Sequence, residues 1–341
     1  MAAFSFRLVI VALFLVFSVV QGVAAPPTRT VTDMAGRQVK VPREIRRVVT
    51  AGGTPAINAF IVALGRADLI VNGLPQPMWG RWKLQQLFVP TANGPVVSGM
   101  GPSWTPDLEA LRALPHDLVL VDNEQTARML ERRGFTAFCL LWKGPDSVPA
   151  TMRLLGELLN RREQAAAFER YYQKNLERVR AEVGALPQAQ RPRALFCRLE
   201  PLSLPMVSTA KMLIERSGGR YAAIGTLPVD HATITLETLL VWNPDVLFVW
   251  SPEDLKRVYT DQRFASLRAV KQRRVFAMPM GLHPWSNYTP EQAPGILWMA
   301  KMLYPDHFQL LSPLQESQSF YRQFCGKQLS SQQVNTVLQG S

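Results

Sequence analysis

Two glutamates, Glu109 and Glu237, stand 128 positions apart, and each lies eight residues ahead of an aspartate, Asp117 or Asp245. Each opens a short amphipathic stretch, Leu108-Glu109-Ala110-Leu111 or Leu236-Glu237-Thr238-Leu239, which breaks at Pro115 or Pro244 and leads into an apolar run. A carboxylate in a first helical turn is favoured by the helix dipole, and that accounts for either glutamate alone; two matched copies point to a paired role. A second set of residues gathers in loops punctuated by Gly and Pro: Trp79, Arg81 and Trp82; Trp104; Arg198; and His283, Trp285 and Tyr288. Indole, guanidinium, imidazole and phenol groups together can stack on a flat ligand and pair with its negative charges. The alternative is that single tryptophans plug the ends of the fold. Catalytic signatures are missing: the chain has no Gly-x-Ser-x-Gly elbow, no Gly-x-Gly-x-x-Gly after a strand and no phosphate loop. Its four histidines, His116, His231, His283 and His307, include no pair at i, i+4, so neither a metal site nor a cofactor is indicated.

The elements that must hold these residues follow from the repeat. In each copy a short helix feeds an apolar run of strand length, Leu118–Val121 or Val246–Val249, the pattern of a buried parallel strand. The chain is therefore expected to be α/β, with two similar Rossmann-like lobes. A hairpin is predicted over Thr30–Val41, turning at Ala35-Gly36. A strand at Arg47–Thr50, a helix over Ala56–Leu64 and a strand at Leu69–Val71 follow. Between the lobes, apolar residues at three- and four-residue steps from Val148 to Leu186 predict one long stiff helix or two abutting ones. The second lobe is predicted to continue through a helix near Phe264–Ala269, a strand at Arg274–Met278 and a helix over Pro290–Leu303. The expected boundaries are residues 26–147 for the first lobe, 148–186 for the linking helix, 187–312 for the second lobe and 313–341 for a polar, partly ordered tail.

Compartment is read from the N-terminus. One arginine, a thirteen-residue apolar run over Leu8–Val20 and the small residues up to Ala25 predict a secretory signal peptide over residues 1–25, cleaved after Ala24 or Ala25. That run falls short of the roughly 20 residues needed to span a bilayer. No cysteine lies near the site, so a lipid anchor is not predicted, and the mature protein is expected in the periplasm. Net charge is +12 for the whole chain, which favours anionic partners. Nucleic acid is not among the expected partners, because the basic residues are scattered. Cys139 and Cys197 sit in strand-like runs and read as core thiols, while Cys325 is a candidate for a disulfide in an oxidising compartment.

The hairpin segment Val31-Thr32-Asp33-Met34-Ala35-Gly36-Arg37-Gln38-Val39-Lys40-Val41-Pro42, the strand after it, the two Leu-Glu helices ahead of their Asp-strands, the linking helix and Ile296–Pro305 occur in a telling order. Over about Thr30–Phe308 the chain resembles the periplasmic substrate-binding proteins of ABC importers, in the group that serves iron-siderophores, haem, vitamin B12 and related metal chelates. His116 departs from that pattern, where the first lobe usually has Pro. The resemblance implies a non-catalytic, monomeric protein whose ligand lies in a cleft between the lobes. It also implies that Glu109 and Glu237 dock on a permease dimer that works with an ATPase. Two carboxylates on separate rigid lobes would match two basic pockets only at one spacing, so they act as register devices.

In open α/β sheets ligands bind beyond the carboxyl ends of the strands. That rule, with the loops above, gives Trp79, Arg81, Trp82, Trp104, Arg198, Trp250, His283, Trp285 and Tyr288 as ligand-binding candidates, and brings Asp122 to the same cleft. The expected ligand is a metal chelate, first of iron-siderophore type; haem, a corrinoid or an oxyanion such as molybdate remain alternatives. An exported α/β enzyme or a sensor module on the same fold is the rival reading.

Overall fold

The computed structural model describes residues 27–75, 80, 82–97, 105–223 and 231–340; the expected signal peptide lies outside them. The predicted hairpin forms from β1 (Thr28–Thr32) and β2 (Gln38–Pro42), paired antiparallel with Val31 opposite Val39. Gly36 supplies the positive φ, 77°, that the turn needs. Asp33 explains why the motif carries Asp and Arg together. Its carboxylate accepts from Arg37 Nε (2.9 Å), Arg37 Nη2 (2.7 Å) and the Cys139 amide (3.0 Å), which pins the hairpin to the sheet of the first lobe.

That sheet is parallel, β3 (Val48–Ala51), β4 (Leu118–Val121) and β5 (Ala137–Cys139) in the order β3-β4-β5. Its helices are α1 (Thr54–Ala63), α2 (Lys83–Phe88), α3 (Leu108–Ala113) and α4 (Glu124–Arg132). The expected strand at Leu69–Val71 is instead a 3-10 turn over Ala67–Leu69, and only Ile70 bridges to Val48.

The linking segment differs from a single helix. It forms α5 (Ser147–Leu158) and α6 (Arg162–Val183), because Asn160 takes a left-handed φ of 56° and ends the first. Asn is the usual substitute for Gly at such a C-terminal cap. The two helices then meet so closely that a Cβ on Gly156 would collide with Ala165.

The second lobe holds β6 (Arg193–Leu199), β7 (Leu202–Leu204), α7 (Val207–Arg216), β8 (Arg220–Tyr221), β9 (Ala232–Thr233), α8 (Leu236–Trp242) and β10 (Val246–Val249). After these come α9 (Pro252–Thr260), α10 (Arg268–Lys271), β11 (Val275–Ala277) and α11 (Gln292–Leu303). The strands run in the order β11-β10-β6-β7-β9, with β8 also on β6; β8, β10 and β11 are parallel to their neighbours, whereas β7 and β9 are antiparallel. The helix expected near Phe264–Ala269 is a 3-10 turn followed by the short α10.

Residues 313–340 are not a loose tail. They contain α12 (Pro313–Cys325) and α13 (Ser331–Leu338), with Phe320, Tyr321 and Phe324 fully buried. The buried positions recur at helical spacing, Ser317, Phe320, Tyr321, Phe324 and Cys325, a stripe that the Gln- and Ser-rich composition hides.

Alternation along the strands divides the core. Val48, Leu118, Phe138, Ala194, Phe196, Val246 and Phe248 join one cluster that also takes in α1, α6, α11 and α12. The opposite faces form two satellites, one under α3 and α4, the other around α8 and α9. The lobes thus share a main core rather than meeting only at a hinge, and both repeat helices lie on the outer faces.

Candidate functional site

A cavity of about 590 Å³ opens at the carboxyl ends of β6 and β10, with Gly80 and Lys83 of the first lobe on its other side. Arg198, from the end of β6, holds its guanidinium 4.7 Å from the centre of the Trp250 ring, which immediately follows β10. Such a stack fixes a long cation and an indole as one flat shelf. Trp250 in turn rests on Phe196, ring centres 5.9 Å apart. Below the shelf, Ser251 caps α9 by accepting from the Asp254 amide (3.2 Å). Burial pushes the Asp254 carboxyl above its usual range, against the pull of the Leu199 amide and the Arg198 charge. Arg257, one turn further, pairs with Glu200 at 3.0 Å. Lys83, Arg198 and Arg257 therefore share the lining with Glu200, Glu253 and Asp254, so the wall presents both signs of charge.

The ends of the first lobe's strands look different. Asp122, just after β4, folds back on the loop after β3, where the Gly53 amide donates to its carboxylate; burial nevertheless pushes that carboxyl up. A Cβ on Gly52 or Gly53 would run into the carboxylate, so the two glycines make room for it. Asp122 is absent from the cavity lining.

Of the sequence-derived ligand candidates, Arg198 and Trp250 come together on the cavity wall. Trp82 is buried and stacks on His283, ring centres 6.3 Å apart and planes within 17°, at the place where the lobes touch. Trp285 does not reach the cavity: it is wholly buried and packs over Gly295 of α11, so here the plugging alternative holds. Tyr288 is half-buried against the main core and also lies outside the lining. Trp79, Arg81 and Trp104 fall outside the described residues.

Lys83, Glu200 and Met280 line the cavity from loops already read as cleft-facing, although none was singled out; sequence reasoning missed Ser251, Glu253, Asp254 and Arg257 as lining residues. A usable signal existed, since Ser251-Pro252-Glu253-Asp254 opens a helix directly after the second repeat's strand, where the strand-end rule looks for ligands. His231 is exposed, and the His116 ring nitrogen lies 2.7 Å from the Leu114 carbonyl oxygen. Among the described residues no three His, Cys, Asp or Glu side chains gather as metal ligands. Cys139, Cys197 and Cys325 are buried and unpaired, so Cys325 forms no disulfide. Burial pushes the Cys139 thiol up to about 12.

Glu109 and Glu237 occupy equivalent places, second in α3 and α8. Asp107 caps the first by accepting from the Glu109 and Ala110 amides; Thr235 caps the second by accepting from the Thr238 amide. Both glutamates are exposed, and neither is in an ion pair among the described residues.

A periplasmic binding protein family profile matches residues 63–281. The molybdate-binding protein MolA of Haemophilus influenzae is 24% identical over 325 residues, covering 87% of this chain and 90% of that one. Among solved structures, a periplasmic solute binding protein from Veillonella parvula superposes with a TM-score of 0.78 at 23% identity, covering 92% of this chain and 97% of its own. Helicobacter pylori CeuE, solved with Ni(II) bound, superposes with a TM-score of 0.72 at 15% identity and covers 91% and 99%. These likenesses show a shared two-lobed fold. No helix among the described residues is long and apolar enough to cross a membrane.

Proposed function

Because the chain belongs to the periplasmic binding protein family, we propose that it is the solute-binding component of an ABC importer, taking an anionic metal chelate of iron-siderophore type into the cavity between its lobes. The observation that carries this is the cavity wall. A volume of about 590 Å³ falls within the ~300–1,000 Å³ that accommodates a drug-sized organic ligand and leaves a single oxyanion poorly enclosed. The Arg198–Trp250 shelf suits a flat, negatively charged surface, and the neighbouring carboxylates suit the polar periphery of a chelate. A catalytic role is not part of this reading.

Glu109 and Glu237 are the proposed docking pair, one for each half of a permease dimer whose ATPase drives release. Their symmetric, unpaired exposure supports this, and long-range attraction between opposite charges would orient the encounter. Exchanging both for arginine is expected to leave ligand affinity within twofold and to abolish uptake; unchanged uptake removes the docking role.

A second reading is favoured by one observation, the 24% identity to a relative named for molybdate binding. Titration of tryptophan fluorescence with ferric catecholate and hydroxamate siderophores, haem, cobalamin and molybdate separates the two, with native mass spectrometry to count bound ligand and metal. Saturable one-to-one binding of a ferric chelate is expected. Binding of molybdate alone replaces that ligand class, and silence across the panel removes it.

A further inference from the structure

The loop after β11 meets the first lobe at Leu282, whose two backbone polar groups are held from opposite sides. Its N–H donates to Glu291 Oε1 (2.8 Å), and its carbonyl accepts from Gln85 Nε2 (2.7 Å). The next amide, of His283, donates to Glu291 Oε2 (2.9 Å). Gln85 belongs to α2 and is itself fixed: Nε2 also donates to the Pro55 carbonyl (2.6 Å), and Oε1 accepts from Asn58 Nδ2 (3.1 Å). Asn58 Oδ1 accepts from the Thr50 hydroxyl (2.8 Å). All of these side chains are fully buried, so a chain of hydrogen bonds runs from β3 through α1 and α2 into the second lobe.

Glu291 completes the junction from the far side. It also accepts from the Tyr321 hydroxyl of α12, and a Cβ on Gly281 would collide with both groups. The junction adjoins the cavity from both lobes. Met280 lines it from the second lobe; Trp82, stacked on His283, immediately precedes the lining residue Lys83.

We propose that Gln85 and Glu291 are positioning residues that clamp Leu282 between the lobes and so set the width of the ligand cleft, which selects ligands by a preset opening. The inference rests on the importer reading for the ligand alone; the clamp is a property of the unliganded chain. Spreading the lobes would pull Gln85 from the Leu282 carbonyl and leave buried polar groups unpaired, the costly direction for any hydrogen bond. The break at Asn160 means that stiffness cannot be assigned to one continuous linking helix, and the buried junction supplies it instead.

Spin labels on Arg112→Cys and Val241→Cys, exposed positions of α3 and α8, report the separation of the lobes, since the three native cysteines are buried. Pulsed electron resonance is expected to give a narrow distance distribution for the otherwise native chain and one at least twofold wider for Gln85→Leu. A Val179→Ala control, away from the junction, is expected to lose thermal stability while its distribution stays narrow. Equal widths for native and Gln85→Leu chains overturn the clamp, as does equal broadening in the control. Should Gln85→Leu fail to fold, amide exchange on the native chain decides. Leu282 and His283 are expected to exchange at least a hundredfold more slowly than the exposed Gly80, and exchange at the Gly80 rate overturns the proposal. A chain silent to every ligand in the panel removes the chelate reading and leaves these widths unchanged.

Discussion

The two repeats share a frame and part company where it ends. Asp117 Oδ2 accepts from the Arg46 and Arg47 amides (2.8 and 2.9 Å), and Asp245 Oδ2 accepts from the Arg193 amide (2.8 Å). Each aspartate thus staples the entry of the neighbouring parallel strand, and each pairs with an arginine, Arg47 or Arg268. Beyond the strand the likeness stops. In the first lobe Asp122 turns inward onto the Gly53 amide, whereas in the second Trp250 turns outward under Arg198 and forms the cavity wall. What recurs in this chain is scaffold, and the wall of the candidate cavity begins at the first residue that does not recur.

That contrast can be tested most strongly through the buried carboxyls of the two lobes. Glu291 is fully buried, and desolvation pushes it up to about 7 from an ordinary 4.5; Tyr321, Trp285 and the Leu282 and His283 amides face it and pull the other way, and Cys325 lies nearby. Below its ordinary range both the folded and the unfolded chain hold the proton. Between there and about 7 only the folded chain does, so the stability this group contributes is present at low pH and lost as pH rises through 7. Denaturant unfolding between pH 5 and pH 8 is expected to show a loss of roughly 3 kcal/mol from this group, and Glu291→Gln should flatten it. Asp122→Asn, in the first lobe, should remove a smaller part of the same slope. An unchanged slope in Glu291→Gln would reassign the titration.

The shared frame makes the next prediction. Asp117→Ala and Asp245→Ala should each cost about 2 kcal/mol, the range expected when amides lose a charged acceptor; a large cost at only one position would show that the two staples are not equivalent. The difference at the strand ends then gives an asymmetric pair. Trp250→Ala is expected to weaken binding of the cognate ligand at least tenfold, and Asp122→Asn less than threefold, both by fluorescence titration. Reversed magnitudes would move the ligand to the first lobe. Smallest of all, Tyr288→Phe and Trp285→Phe should leave affinity within twofold, since neither side chain lines the cavity.

Much of the frame was legible because it rests on short-range pattern. The repeats, the hairpin around Gly36 and the apolar strands follow from spacing and from one residue free to take positive φ. For the linking segment the pattern allowed one helix or two abutting ones and did not choose, because Asn160 reads as an ordinary polar helix residue until its φ is known. The helical segment after Pro313 was missed because composition masked a stripe of five buried positions. At the candidate site, strand-end placement singled out Arg198 and Trp250, which line the cavity, whereas Trp285, chosen by residue type, lies buried outside it. A tryptophan in a Gly- and Pro-rich loop suits a ligand and a core equally, and only the surrounding fold decides. Gln85 and Glu291 gave no local signal at all, since their shared partner is a backbone group brought to them from a distant part of the chain.

Helix α1 is buried along all ten of its residues, and one of its covers is α12, more than two hundred positions later. Lys327 reaches the Leu87 carbonyl across 240 positions in the same region. Contacts this distant in sequence close late and slow the search for the native state. During synthesis the first lobe must therefore wait, with its most apolar helix only partly covered, for a segment more than two hundred residues downstream to appear. A copy halted before Pro313 presents that helix to its neighbours, so incomplete chains are expected to end as aggregates rather than as half-built receptors.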